Sequence, residues 1–229
     1  MNSTSRRKRT IGGVPVNHAD YSYVVTLLSN GQHVCGGSIV TPQLILTAAH
    51  CLQKPLMYAG VYNPYGGVNA YPISGGIAHP GYNSYQNVND IALLVLSQRI
   101  ANAQIVSLQS KPQKVEDRSL AMALGWGRTE YGTPSTQLRK VEVPLLYPSD
   151  CQRHFGYRAE WVCTDASQRN VCYGDSGGPL MYKNKQIGVV SMGSPVPRGV
   201  DACMSGKPTV FTRISSYYKW IQSYKQMYA

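Results

Sequence analysis

Short apolar runs alternate with turn-forming residues along most of the chain. The runs fall at Tyr23 to Leu28, Gly37 to Leu46, Ile91 to Leu96, Leu120 to Leu124, Gln186 to Met192 and Pro208 to Ile214. Most are too short for helices and rich in Val, Ile and Tyr, so they predict strands. Asn63-Pro64, Gly66-Gly67, Gly75-Gly76, His79-Pro80 and Gly132-Thr133-Pro134 interrupt them and mark loops. One segment departs from this pattern. After Ser215-Ser216 come Tyr217, Trp220, Ile221 and Tyr224, a spacing that stacks four large side chains on one helical face with a serine available as cap. The pattern predicts an all-β chain closed by a packing helix over about 216–227. No internal repeat is visible.

Composition narrows the picture. A chain of 229 residues accommodates one domain or two small barrels sharing an interface, and 43% hydrophobic residues suffice for a sizeable core. The 22 Gly and 14 Pro fit a turn-rich β protein. No apolar run reaches the length of a membrane span. The formal net charge is +11, but Arg6-Arg7-Lys8-Arg9 supplies four of the 22 basic residues, leaving +7 beyond them. The remaining basic residues are scattered without a nucleic-acid motif, which reads as a solvated surface with some affinity for acidic partners. Six cysteines allow fifteen pairings. An even count with no Cys-x-x-Cys pair favours disulfides in an oxidising compartment over a metal site.

The run Gly174-Asp175-Ser176-Gly177-Gly178-Pro179-Leu180 sets a serine among small residues, in a turn able to expose its hydroxyl and neighbouring N–H groups. A serine hydroxyl is a poor nucleophile until a base takes its proton and donors receive the oxyanion. A base is available in Thr47-Ala48-Ala49-His50-Cys51, and an acid to orient it in Asn89-Asp90-Ile91-Ala92-Leu93-Leu94. Each piece alone has a bland reading: a structural histidine, a strand-end acid, a tight turn. Together, and in the order His, Asp, Ser, they resemble the trypsin/chymotrypsin family of serine endopeptidases. The resemblance runs from Thr10-Ile11-Gly12-Gly13 to the final helix.

That resemblance implies two antiparallel β-barrels, the first over about 10–110 and the second over about 119–214, with the active site in the cleft between them. The charged stretch Lys111 to Arg118 would be the connector. His50, Asp90 and Ser176 would form the catalytic triad, with Ser191 bonded to Asp90 and the N–H groups of Gly174 and Ser176 forming the oxyanion hole. The implied disulfides are Cys35–Cys51, Cys151–Cys163 and Cys172–Cys203. Residues 1–9 would be a basic activation segment or a remnant foreign to the mature protein. Cleavage after Arg9 would free the α-amino group of Thr10 to pair with Asp175, and in the uncut chain His33 would hold that acid. Thr10 departs from the Ile or Val usual there. The polar start of the chain lacks the apolar core of a signal peptide, so for a secreted protein the expectation is a leader removed or replaced.

The positions implied for substrate binding are Asn170, Val171, Tyr173, Gly193 and Thr209. Neutral Asn170 stands where a trypsin carries Asp, and Thr209 where trypsins and chymotrypsins have glycine, as in elastases. The expected preference is for medium or small uncharged residues before the scissile bond. The alternatives are an Arg/Lys preference, should Asp201 in the long segment 194–203 fold back to the pocket, and a catalytically silent basic binding protein. The segment between Tyr62 and Ile77 lacks the glutamates of the trypsin calcium loop, so no metal and no cofactor are expected. The implied partners are a protein or peptide substrate, an activating protease and protein protease inhibitors. Nucleic acid and membrane are not implied, and a secreted monomer is expected.

Overall fold

The structure, a computed structural model, describes residues 13–112, 118–129, 131–156 and 158–228. Strand β1 (Val14–Pro15) is followed by β2 (Val24–Ser29), β3 (Gln32–Thr41), β4 (Leu44–Thr47), β5 (Tyr58–Tyr62), β6 (Val68–Ala78) and β7 (Ala92–Leu96). Strands β2 to β7 close into an antiparallel barrel in the order β2-β3-β4-β7-β6-β5. Asn30 and Gly31, both at positive φ, form the two-residue turn whose twist matches the β2–β3 hairpin. β4 and β7 are buried along their whole length, so neither has a solvent face. The Gly75–Gly76 pair, expected to mark a loop, lies inside β6, where the register to β7 shifts as at a bulge. A side chain at Gly76 would crowd Leu52.

The second half contains β8 (Leu120–Gly125), β9 (Arg139–Pro144), helix α1 (Pro148–Phe155), β10 (Trp161–Thr164), β11 (Pro179–Tyr182), β12 (Lys185–Gly193), β13 (Thr209–Arg213) and helix α2 (Ile214–Met227). Its strands form one sheet in the order β1-β9-β8-β11-β12-β13-β10. A bridge from Leu145 to Thr164, flanked by the bonds Leu146 N–H to Cys163 O and Asp165 N–H to Pro144 O, joins the end of β9 to β10. That contact closes six of the seven strands into the second barrel. β1 pairs with β9 at Lys140 and Arg139, so the first strand serves the second half rather than the first. α1 is too short, at 8 residues, for its period to stand out in the sequence.

One apolar cluster joins the halves. Leu93 and Leu94 of β7, Leu124 of β8, Met181 of β11 and Val189 of β12 belong to it with Ile214, Tyr217 and Ile221 of α2. The helix starts at Ile214, two residues before the expected boundary. Arg213 occupies the cap position without a capping bond, its guanidinium donating instead to Ala159 O and Trp161 O, and Ser215 and Ser216 lie in the first turn. Burial of α2 therefore supplies what its cap does not. No helix among the described residues is long and apolar enough to cross a membrane.

Candidate active site

β4 ends at Thr47, and the chain turns into a short 3-10 helix over Ala49–Gln53 that carries His50. The Cys35–Cys51 disulfide anchors this turn to β3. Asp90, only 1% exposed, sits two residues before β7. Its carboxylate accepts three bonds: from His50 N–H at 2.9 Å to Oδ1, from His50 Nδ1 at 2.7 Å to Oδ2, and from the Ser191 hydroxyl at 2.6 Å to Oδ2. Burial opposes ionisation of Asp90, but the bonds from His50 and Ser191 outweigh it and hold the carboxyl below its ordinary value. With Nδ1–H donating to Asp90, the His50 tautomer leaves a lone pair on Nε2. Among the described residues Nε2 meets the Cys51 sulfur at 3.8 Å and makes no hydrogen bond to Ser176. Such contacts often tighten only when substrate is bound.

The Ser176 turn is set by both barrels. Gly36 of β3 donates its N–H to Ser176 O at 2.7 Å, and Gly177 donates to Val190 O of β12 at 2.8 Å. A Cβ at Gly177, which sits at φ 79°, would collide with Thr47 Oγ1 and press on Gly36 O, so the barrels close around a residue without a side chain. The N–H of Asp175 bonds Cys172 O, and that of Gly178 bonds Asp175 O. Among the described residues the N–H groups of Gly174 and Ser176 have no acceptor within the protein. They are two unspent donors in the turn that carries the Ser176 hydroxyl.

Asp175 has no cationic partner among the described residues. Its carboxylate accepts from Gly127 N–H at 2.8 Å and Cys172 N–H at 2.9 Å. Asp175 is half-buried, and it lines a small cavity together with Gly13, Gly125 and Gly127. Burial therefore dominates and pushes its pKa up to about 6, against the lowering effect of the two N–H bonds. His33 meets the turn at a different atom from the one expected. Its Nε2 donates to Gly174 O at 2.9 Å, with Thr26 Oγ1 on Nδ1 at 2.6 Å, and among the described residues it makes no hydrogen bond or ion pair with Asp175. Burial lowers the His33 pKa, with Lys54 adding to the effect, so the ring is neutral and bonds a carbonyl rather than pairing with an acid. Arg9 and Thr10 lie outside the described residues.

Beside Ser176 is a cavity of roughly 220 Å³ lined by Asn170, Val171, Tyr173, Met192, Gly193 and Thr209, among others. Asn170, one of the lining residues, is 4% exposed, and its amide is occupied. Oδ1 accepts from the Thr209 hydroxyl at 2.7 Å, and Nδ2 donates to Cys203 O at 3.4 Å. Nothing lies within 4 Å of where a Cβ on Gly193 would stand, so that wall is open. Asp201 does not line the cavity. It accepts from Cys203 N–H at 3.0 Å and pairs with Arg128.

A sequence profile of the Trypsin family matches residues 10–221. The chain belongs to the trypsin family. Trypsin delta and trypsin gamma of Drosophila melanogaster are each 32% identical to it, over 94% of this chain and 88% of their own. Chymotrypsin-2 of Vespa crabro is also 32% identical, over 93% of this chain and 98% of its own. As a member of the trypsin family the protein is a serine endopeptidase, a hydrolase of peptide bonds with protein substrates. The relatives' names cover both trypsins and a chymotrypsin, so kinship leaves the preferred residue open.

The three disulfides, Cys35–Cys51, Cys151–Cys163 and Cys172–Cys203, are those the resemblance implied. Other supports of the site escaped the sequence. The Thr212 hydroxyl donates to Asp90 O at 2.8 Å, and the Tyr217 hydroxyl to Asn89 Oδ1 at 2.7 Å. Asn89 sits at φ 53° and donates through Nδ2 to Gly81 O at 2.6 Å. The terminal helix, expected only to pack, thus grips the residue beside Asp90. The only sequence signal was an asparagine, the side chain most tolerant of positive φ after glycine, next to the acid.

Proposed function

We propose that His50, Asp90 and Ser176 act as the catalytic triad of a secreted endopeptidase made as an inactive precursor. Ser176 Oγ attacks the scissile carbonyl carbon as its proton passes to His50 Nε2. Asp90 stabilises the resulting imidazolium while the carbonyl oxygen, now negative, is received by the N–H groups of Gly174 and Ser176. Collapse of this intermediate expels the amine, which takes its proton from His50 and leaves an acyl group on Ser176. Water, deprotonated by His50, then hydrolyses the ester. The observation that carries this reading is the Asp90 carboxylate, bonded to both His50 and Ser191 beside a serine turn with two unspent donors.

Activation follows from Asp175. A protease cutting after Arg9 frees the Thr10 ammonium, which enters the cavity that Gly13 borders and supplies the countercharge Asp175 lacks. The activating protease, protein inhibitors and an extracellular site of action belong to this reading, as does a monomeric enzyme. For specificity, a neutral base with its amide engaged by Thr209 and Cys203 supports cleavage after Leu, Met or Ala ahead of Phe or Tyr, with Lys and Arg rejected. The ion pair with Arg128 keeps Asp201 from serving as the countercharge for a basic side chain.

Two measurements test the reading. A fluorophosphonate probe should label the chain cut after Arg9, and Ser176→Ala should abolish both labelling and turnover. A Ser176→Ala variant within about tenfold of the parent would overturn the triad assignment. Hydrolysis rates on peptides differing only before the scissile bond should rank Leu first, and fastest cleavage after Arg or Lys would overturn the specificity.

A further inference from the structure

Arg128 and Asp201 take no part in the chemistry above, yet both hold residues that line the pocket. Tyr173 forms part of the pocket wall and is 62% exposed. Two contacts hold it. The Arg128 backbone N–H donates to Tyr173 O at 2.8 Å, and the Arg128 guanidinium lies over the Tyr173 ring at 5.2 Å. The guanidinium is in turn fixed by Asp201 through Nη2, while its buried Nε has no partner among the described residues. Asp201 is therefore the acid that positions the cation.

The links close on themselves. Asp201 caps the 3-10 turn Ala202–Met204 through Cys203 N–H, and Cys203 is disulfide-bonded to Cys172, the residue before Tyr173. Arg128, Tyr173, Cys172, Cys203 and Asp201 make a closed ring of which Cys172, Tyr173 and Cys203 line the pocket. Two links are covalent, the Cys172–Tyr173 peptide bond and the Cys172–Cys203 disulfide; one is a hydrogen bond, one ionic and one a cation held over an aromatic face. Both members of the ionic link keep about a third or less of their side-chain surface exposed, so salt screens it only in part. Segment 194–203 supplies its acid.

We infer that the Arg128–Asp201 pair is a specificity determinant: by pinning Tyr173 at the rim it fixes the width of the pocket mouth and excludes large aromatic side chains. The inference rests on the pocket assigned above and adds a mechanism for its size limit. A cation over an aromatic face is directional as well as attractive, so its loss frees the ring to swing. The wall then yields, and selectivity by size falls even though no residue inside the cavity has changed.

The test compares the activated enzyme with Asp201→Asn, Arg128→Gln and the exchange Arg128→Asp with Asp201→Arg. The quantity read is the ratio of kcat/KM for peptides with Leu and with Phe before the scissile bond, corrected by active-site titration. Each single variant should lower the Leu-to-Phe ratio by about three- to tenfold, mainly through KM, and the exchange should recover part of it. The parent ratio should fall between 0.05 and about 1 M NaCl, while that of Asp201→Asn should not respond. Should Arg128→Gln fail to fold, Asp201→Asn and the salt series decide the matter. An unchanged ratio in Asp201→Asn together with a salt-independent parent would overturn the inference. The parent's own ranking of residues tests the proposed specificity separately, because the inference is read only as a change from the parent.

Discussion

Asp90 and Asp175 are both carboxylates taken largely out of water, yet their surroundings drive them in opposite directions. Asp90 lies between the barrels with both carboxylate oxygens engaged by partners built into the fold, and it is held ionised. Asp175, one residue before Ser176, has two backbone donors and a cavity, and burial pushes it up to about 6. The first acid is finished when the chain has folded. The second waits for a charge from elsewhere. A catalytic frame can thus be complete while the loop that must serve it is not, and on the activation proposed above this separation would let one cut at the N-terminus control activity.

The comparison breaks most visibly at Asp90. Asp90→Asn keeps the shape but presents an amide N–H2 or oxygen to His50, so the tautomer that leaves Nε2 free is no longer enforced. Turnover of the cut enzyme should fall by about 10⁴-fold, the size expected from the serine-protease template for losing the orienting acid. Fluorescence and thermal unfolding should show that the fold survives. A loss smaller than tenfold would mean that the carboxylate does not orient His50.

The same substitution at the other acid should act only after cleavage. In the cut chain Asp175→Asn removes the partner of the Thr10 ammonium and loosens the Gly174 and Ser176 donors, at a cost of about 10²- to 10³-fold in kcat. In the uncut chain it should change almost nothing, because activity is already low. Measuring both forms of both variants gives a two-by-two comparison. A parent chain that is fully active while mass spectrometry shows it intact would end the distinction between the two acids.

Much of the first acid's setting was legible in the sequence. His50, Asp90, Ser176 and Ser191 lie in short motifs whose flanking apolar runs gave their strands, and the cysteine pairs followed the resemblance. What stayed hidden depends on contacts between distant segments. Val14–Pro15 crosses to β9, a pairing of two residues that no periodicity announces. Gly75–Gly76 reads as a break because glycine is common in loops, whereas β6 uses it at a bulge under Leu52. α2 begins before its serines because the buried face of Ile214, Tyr217 and Ile221 outweighs cap preference. Tyr217 and Thr212 hold Asn89 and Asp90 from more than a hundred residues away, a distance over which sequence patterns say nothing. His33 shows a subtler limit. The residue was found, but its partner proved to be the Gly174 carbonyl rather than the acid beside it.

The smallest effect, and the one that separates the two acids without any catalysis, is on stability against pH. In the uncut chain Asp175 has a folded-state pKa of about 6, above the value near 3.9 expected once unfolded. Between those values the native state binds more protons than the unfolded state, so stability falls as pH rises through the window and levels off above it. With allowance for partial solvent access the loss should be on the order of 2 kcal/mol. Asp90 has the opposite sign. Its lowered pKa contributes stability above the unfolded value, which disappears as pH drops through the folded one. Urea unfolding of the uncut chain, carrying Ser176→Ala to prevent self-cleavage, measures this directly between pH 4.5 and 7.5. Adding Asp175→Asn should leave stability nearly unchanged at the acid end and raise it at the neutral end. After cleavage the Thr10 ammonium should reverse that difference, because a paired Asp175 is then stabilising at neutral pH. A gap between the two uncut proteins that stays constant across the range would show that Asp175 is not held out of water as its surroundings imply.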